Sequence, residues 1–337
     1  MKVTLLNRRP ARGNFSVERI FELVRKNLPR DLEKEVFVPR YISKGIFTRL
    51  YDIVEAAFHQ GDVNHITGDV HFLSYLLRKN RTVLTILDCF FLDAKMSKLS
   101  KAIINLFWYQ IPSRRVAYIT TISQFSKNQI LSVVKFDTKK IIVIPVPLPE
   151  GFKYSKREFN RKAPVILQIG TAVNKNLFNL FEALEGVGCR LYIIGHLGDE
   201  HLEALKKHRI KFTNFTNLSD SQMIEKYKSC DLVSFASTYE GFGMPIIEAN
   251  ATGRAVVTSN LAPMNDVAGG SACLVDPGDV YSIREGILKV INNEKYRAKL
   301  IKQGLKNAKR FDPKLIADQY FQVYKKVARE NGYFSKR

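Results

Sequence analysis

Short β-branched runs alternate with amphipathic stretches along this chain, and the alternation breaks once and then restarts. Before the break, KVTLLN, EVFVP, DVNHIT, TVLTILD, VAYITTIS and IIVIPV read as buried parallel strands. Between them SVERIFELVRKNL, TRLYDIVEAAFHQ, DVHFLSYLLRK and SKNQILSVVK carry helical periodicity. After it, PVILQIG, CRLYIIG, KFTNF, DLVSFAS and AVVTSN read as strands, with NLFNLFEALEGV, SDSQMIEKYKS and GMPIIEANAT as helices. The chain is helical from Val280 onward and ends in DPKLIADQYFQVYKKVARE, whose Asp-Pro start suits a helix opening. Such alternation predicts an α/β fold with two doubly wound, Rossmann-like sheets facing each other across an interdomain cleft. The expected boundaries are an N-terminal domain over 1–150, a linker over 151–163, a second domain over 164–312 and a C-terminal helix over 313–337 that packs back on the first.

A length of 337 residues agrees with two domains. Formal net charge is +21, split as +11 in residues 1–150 and +10 in 151–337, so it is no basic tail. A field of that sign favours polyanionic partners: nucleic acid, an anionic membrane leaflet or phosphorylated substrates. Cys89, Cys189, Cys230 and Cys273 lie far apart without C-x-x-C spacing, which argues against a metal cage or disulfide framework and for reduced thiols. No apolar run approaches the roughly 18 to 20 residues of a spanning helix, and MKVTLLNRRP reads as a first strand rather than a leader. A cytoplasmic protein is expected.

The stretch STYEGFGMPIIEANATGR sets Glu240 and Glu248 eight positions apart around a Gly-Phe-Gly turn. DLVSFAS is a strand, so TYEGFG leaves its carboxyl end, and Pro245 suits the first turn of the helix that follows. Gly241 and Gly243 allow close backbone approach, and a helix start there favours an anion or a hydroxyl-rich ligand. Two carboxylates on such a loop and helix suit the vicinal hydroxyl pairs of a ribose or hexose. In LQIGTAVNKNLFNLFEAL, Lys175 and Asn176 stand between a strand ending at Gly170 and the next helix, where a cation can reach a pyrophosphate.

E-G-F-G-M-P-I-I-E resembles the E-x7-E motif of retaining glycosyltransferases with the GT-B fold, the group called family 4. The resemblance covers most of the chain and is specific in its second half. It implies that Glu240 lies by the donor hexose hydroxyls and that Glu248 binds the nucleotide ribose. The backbone of Gly241, Phe242, Gly243 and Met244 would approach the transferred sugar and its phosphate. Gly170, Thr171, Lys175 and Asn176 would complete the donor site, with Lys175 and Glu240 as catalytic residues. Thr171 stands where the family often has an arginine, which weakens that role and leaves the lysine's. Leu87 replaces a histidine that relatives usually carry in T-I-H-D, and ACLVDPGD resembles the segment that follows the motif. With no D-x-D triplet, metal independence is expected and no cofactor is implied.

Acceptor contacts are expected from Arg8, Arg9, Arg12 and Gly13 after the first strand, and from His65, Thr67, Asp69 and His71 after the third. On a helical wheel Met96, Leu99, Ile103, Leu106 and Phe107 share a face assigned to the core. Lys95, Lys98, Lys101, Trp108 and Tyr109 lie opposite, and with Arg114 and Arg115 they suit an anionic bilayer. The resulting expectation is a hexosyltransferase of mannose or glucose type acting on a lipid-linked, cell-surface polysaccharide. It would be peripheral at the inner face of the plasma membrane, without nucleic acid as partner. The alternatives are a nucleotide-sugar epimerase or a phosphorylase of the same fold, or a non-catalytic basic binder of membrane or nucleic acid.

Overall fold

The structure, a computed structural model, describes residues 1–9, 16–42, 45–89 and 96–333. Arg12, Gly13 and Lys95 of the expected site and membrane face lie outside them. The chain divides into two compact units: residues up to Pro147 together with the segment from Pro313, and Leu148–Asp312.

In unit one, β1 (Lys2–Leu6), α1 (Ser16–Asn27), β2 (Glu33–Phe37), α2 (Ile46–Phe58), β3 (Val63–Ile66) and β4 (Thr82–Thr85) follow in order. Then come α3 (Lys98–Ile104), α4 (Ile111–Arg114), β5 (Tyr118–Thr121), α5 (Gln124–Val133) and β6 (Ile141–Val143). All pairings are parallel, in the order β2-β1-β3-β4-β5-β6. Strand alternation sends Val3 and Leu5 to one face, under Phe21 and Val24 of α1 and the C-terminal helix, and Leu6 to the other, under Ile53 and Ala56 of α2.

Unit two runs β7 (Val165–Ile169), α6 (Leu177–Ala183), β8 (Arg190–Ile194), α7 (Asp199–Lys207), β9 (Phe212–Phe215), α8 (Asp220–Ser229) and β10 (Leu232–Phe235). It continues through α9 (Met244–Thr252), β11 (Ala255–Ser259), α10 (Met264–Ala268), β12 (Cys273–Val275), α11 (Val280–Asn292) and α12 (Glu294–Ala308). Its parallel sheet has the order β12-β11-β10-β7-β8-β9. Side chains open several of these helices: Ser219 and Gln222 form a reciprocal capping box on α8, and Asp279 and Asn293 cap α11 and α12. The last helix, α13 (Pro313–Glu330), buries Tyr320, Val323 and Tyr324 in unit one beside α1.

Several local expectations differ from the structure. DVHFLSYLLRK forms only a 3₁₀ turn over His71–Tyr75, because His71 through Ser74 are all buried and no solvent-facing stripe remains for an α-helix. Residues 151–163 are bound to unit two rather than free. Phe152 packs edge-on against Tyr227, with ring centroids 5.2 Å apart, and Arg157 pairs with buried Asp231 at 2.8 Å.

The wheel over α3 also assigns the wrong face to the core. Leu99, Ile103, Leu106 and Phe107 are exposed, whereas Tyr109 is buried and Trp108 half-buried. A π-helical turn over Asn105–Gln110 widens the spiral there and departs from α-helical phase. The core on this side is filled by Phe72, Leu73 and Tyr109, which leaves the aliphatic stripe outside. The four cysteines are buried free thiols, and burial pushes Cys89 and Cys230 up to about 12.

Candidate functional site

In unit two, β7 pairs with both β8 and β10, so the strand order reverses beside it. In open α/β sheets, ligands bind at such switch points, outside the carboxyl ends of the strands. The two loops that leave β7 and β10 there hold the expected donor residues, and they are bonded to each other.

Lys175 Nζ lies 2.6 Å from Glu240 Oε1, and both side chains are largely buried. The ammonium also sits 4.9 Å from the centroid of Phe235. Gly170 makes this position possible: its φ is +85°, and a Cβ there would come within 2.8 Å of Lys175 Cε. Asn174 bridges the same loops. Its Nδ2 donates to Tyr239 O at 2.8 Å and, more weakly, to Glu240 Oε1 at 3.4 Å, and its own carbonyl accepts from Thr238 N. Asn176 is left-handed at φ 60°, and its amide donates to Ala236 O and Pro277 O. Both of its donors hold backbone, so in this structure Asn176 fixes the loop that carries Lys175.

Gly243 opens α9 with φ +114°, a conformation that disfavours any side chain, and Pro245 sits in the first turn. Phe242 is buried edge-on against Phe311, while Gly241 and Met244 are half-buried. One turn into α9, half-buried Glu248 accepts a 2.5 Å hydrogen bond from Tyr227 of α8. Burial pushes the Glu248 carboxyl up to about 7 against the opposing pull of that bond. Thr171 rests against Gly195, half-buried.

Residues expected at the acceptor lie in unit one, and several are engaged internally. His65, expected in a loop, is inside β3 and fully buried. Its Nδ1 meets Tyr324 Oη and its Nε2 meets Thr85 Oγ1, each at 2.7 Å, and burial lowers its pKa to about 3. His71 is buried too, donating from Nδ1 to Trp108 O at 2.7 Å. Asp69 accepts from Trp108 Nε1, and Thr67 donates to Asn7 Oδ1 at 2.5 Å. Arg8 pairs with Glu18 at 2.5 Å, and Arg9 donates to Arg40 O. Lys98, Arg114 and Arg115 are exposed and Lys101 is half-buried.

Tyr227 and Asn174 are the site residues the sequence reading missed. Asn174 had a signal, lying directly before Lys175 in a polar loop. Tyr227 had none, because it is 21 positions from the carboxylate it touches.

Two doubly wound parallel sheets in one α/β chain, with a cation and two carboxylates at a switch point, define the GT-B class of fold and a site suited to a phosphorylated polyol. Residues 152–307, just under half of the chain, match the family model described as glycosyl transferases group 1. The O-antigen chain mannosyltransferase B of Escherichia coli is 26% identical over 232 residues, covering 61% of this chain and 60% of that protein. Phosphatidyl-myo-inositol mannosyltransferase of Mycobacterium tuberculosis (strain ATCC 25618 / H37Rv) is 27% identical over 185 residues, covering 50% of this chain and 49% of that protein. The chain thus spans about half to three-fifths of the length of these curated relatives. The crystal structure of Anabaena Alr3699/HepE in complex with UDP and glucose aligns over 97% of this chain and all of that one, with TM-score 0.77 and 16% identity. That likeness establishes the fold.

Proposed function

We propose that this chain is a retaining, metal-independent glycosyltransferase that moves a hexose of mannose or glucose type from a nucleotide diphosphate sugar to a growing, lipid-linked polysaccharide at the cytoplasmic face of the membrane. The observation that carries the reading is the Lys175–Glu240 ion pair at the switch point, with Glu248 one turn into the adjoining helix. The relatives that act as mannosyltransferases and the group 1 family model support it. The solved relative holding UDP and glucose supports a nucleotide-sugar donor.

A diphosphate entering this site competes with Glu240 for Lys175, because two phosphate charges attract the ammonium more strongly than one carboxylate does. Glu240 is then freed to accept hydrogen bonds from the hexose hydroxyls. As the bond between the anomeric carbon and the diphosphate oxygen breaks, Lys175 and the start of α9 stabilise the charge on the leaving group. The acceptor hydroxyl bonds to the anomeric carbon on the face the diphosphate leaves, and its proton passes to a leaving phosphate oxygen. Glu248 takes the ribose diol. In this reading the positive charge comes from Lys175 and the dipole of α9.

The test is transfer itself: membranes or lipid extract as acceptor, a panel of nucleotide sugars as donors, and chelator throughout. Product with the donor's anomeric configuration is expected. Donor turnover only on addition of a divalent metal would refute the metal-independent form, and epimerised sugar without transfer would point to the epimerase.

A further inference from the structure

Arg254, directly before β11, is buried at 3% exposure, and its guanidinium donates to the backbone of three separate segments of unit two. Its Nε donates to Tyr227 O at 2.9 Å and its Nη2 to Lys228 O at 2.8 Å, both in the last turn of α8. Its Nη1 donates to Thr252 O and Gly253 O, each at 3.1 Å, at the end of α9, and to Ser155 O at 2.9 Å. The last carbonyls of a helix have no partner within it and carry the negative end of its dipole, so one cation between two such ends serves both. Asp231, in the same neighbourhood, is taken by Arg157 at 2.8 Å and by the amides of Asn160 and Val165. The planar fork of arginine reaches all three segments at once, which the single point charge of a lysine does not.

The two helices that Arg254 joins carry Tyr227 and Glu248, and the bonds close into a circuit. Arg254 holds Tyr227 O, the Tyr227 phenol donates to Glu248 at 2.5 Å, Glu248 O accepts from Thr252 Oγ1 at 3.0 Å, and Thr252 O returns to Arg254. Residues 152–155 pack on the same circuit. Phe152 lies edge-on to Tyr227, Tyr154 lies against Gly253 so closely that a Cβ there would come within 2.7 Å of its ring, and Ser155 N donates to Thr252 O at 3.3 Å. A role confined to stability needs the helix ends held together but not in one register. We propose that Arg254 is a positioning residue of the nucleotide-sugar site: by fixing the register of α8 against α9 it sets the Tyr227 phenol on Glu248, and with it the direction in which that carboxylate faces a ribose diol. This inference deepens the nucleotide-sugar reading and rests on it for the ligand.

The test is titration of the Glu248 side-chain carboxyl by carbon-13 NMR on the full chain without ligand, its signal located by its loss in Glu248→Gln. Arg254→Lys keeps the charge and loses the fork. It should raise the Glu248 midpoint by about 0.5 pH or more, in the same direction as Tyr227→Phe, because a hydrogen bond to the charged form is weakened. The two substitutions together should move it no further than Tyr227→Phe alone, since Arg254 acts through Tyr227. Should the lysine variant fail to fold, Thr252→Val opens the circuit on its other side without altering a charge, and the same rise is expected. Helices α8, α10 and α12 and strands β10 and β11 pack against α9, and among the described residues Tyr227 is the titratable group bonded to Glu248. Cys230, Asp231, Arg157 and Tyr154, which bear on the guanidinium, stay the same in every variant. A midpoint unmoved or lowered in a folded variant overturns the proposal, as do shifts of Arg254→Lys and Tyr227→Phe that simply add. Binding of UDP and GDP is measured separately: wild type that binds neither refutes the nucleotide reading whatever the titration gives, so the two failures are distinguishable.

Discussion

Lys175 and Glu240 meet at 2.6 Å between two loops 65 positions apart in sequence, each leaving the carboxyl end of a strand at the same switch point. On the proposed reading the pair exchanges partners, a diphosphate taking Lys175 and a hexose taking Glu240. Lys175→Met should lower kcat by roughly 100-fold to 1,000-fold, the usual cost of removing one charge-stabilising donor. Glu240→Gln keeps the shape and should raise KM for the sugar donor more than for the acceptor. Steady-state kinetics with circular dichroism as a folding control check both.

Glu248 titrates near neutrality because burial disfavours its charge. Its folded pKa of about 7 exceeds the ordinary 4.5, so its contribution to stability is full below pH 4.5 and is lost as pH rises through 7. A ribose diol donates to the ionised carboxylate, so nucleotide affinity should rise with pH across the same window. Tyr227→Phe removes the bond that favours ionisation and should move that affinity profile to higher pH. Calorimetric titrations over the range, for wild type and variant, read this directly; an unmoved profile would remove Tyr227 from the donor site.

His65 carries the opposite sign in unit one. Its pKa is lowered to about 3 in the folded state, so the stability it contributes is present above the ordinary 6.5 and is lost as pH falls toward 3. Tyr324→Phe leaves His65 Nδ1 without its 2.7 Å partner. The variant should lose about 1–3 kcal/mol, the cost of an unsatisfied buried polar group. Hydrogen exchange should show the loss in α13 and β3.

Asn176 separates backbone from side-chain effects. Asn176→Gly keeps the left-handed conformation and loses only the bonds to Ala236 O and Pro277 O, whereas Asn176→Ala loses both. Alanine should therefore be the more destabilising by about 1 kcal/mol, and both should lower activity by misplacing Lys175. Denaturant melts of the two variants give the comparison.

The strands and most helices of both units were legible because buried parallel strands read as β-branched runs. The loops that leave β7 and β10 were legible as loops because glycines, proline and charged residues punctuate them at strand ends. What was not legible depended on partners distant in sequence. His65 looks like a loop residue until Tyr324 arrives from the C-terminal helix to satisfy it. The face of α3 was misread because amphipathic periodicity gives the phase of a helix without saying which side meets the core, and the π-helical turn alters that phase. The apolar arc of α2 fits either burial or exposure by composition; only the packing of Ile53 and Ala56 shows which side faces the sheet.

The central claim is that the β7–β10 switch point binds a nucleotide diphosphate sugar through Lys175, Glu240 and Glu248. The most direct measurement is calorimetry of UDP-, GDP-, ADP- and TDP-sugars in chelator, on wild type and Glu248→Ala. Micromolar binding of one nucleotide, weakened by about tenfold or more in the variant, is the expected result, matching the loss of a charge-assisted bond pair. No binding by any of them, or an affinity that Glu248→Ala leaves unchanged, would contradict it.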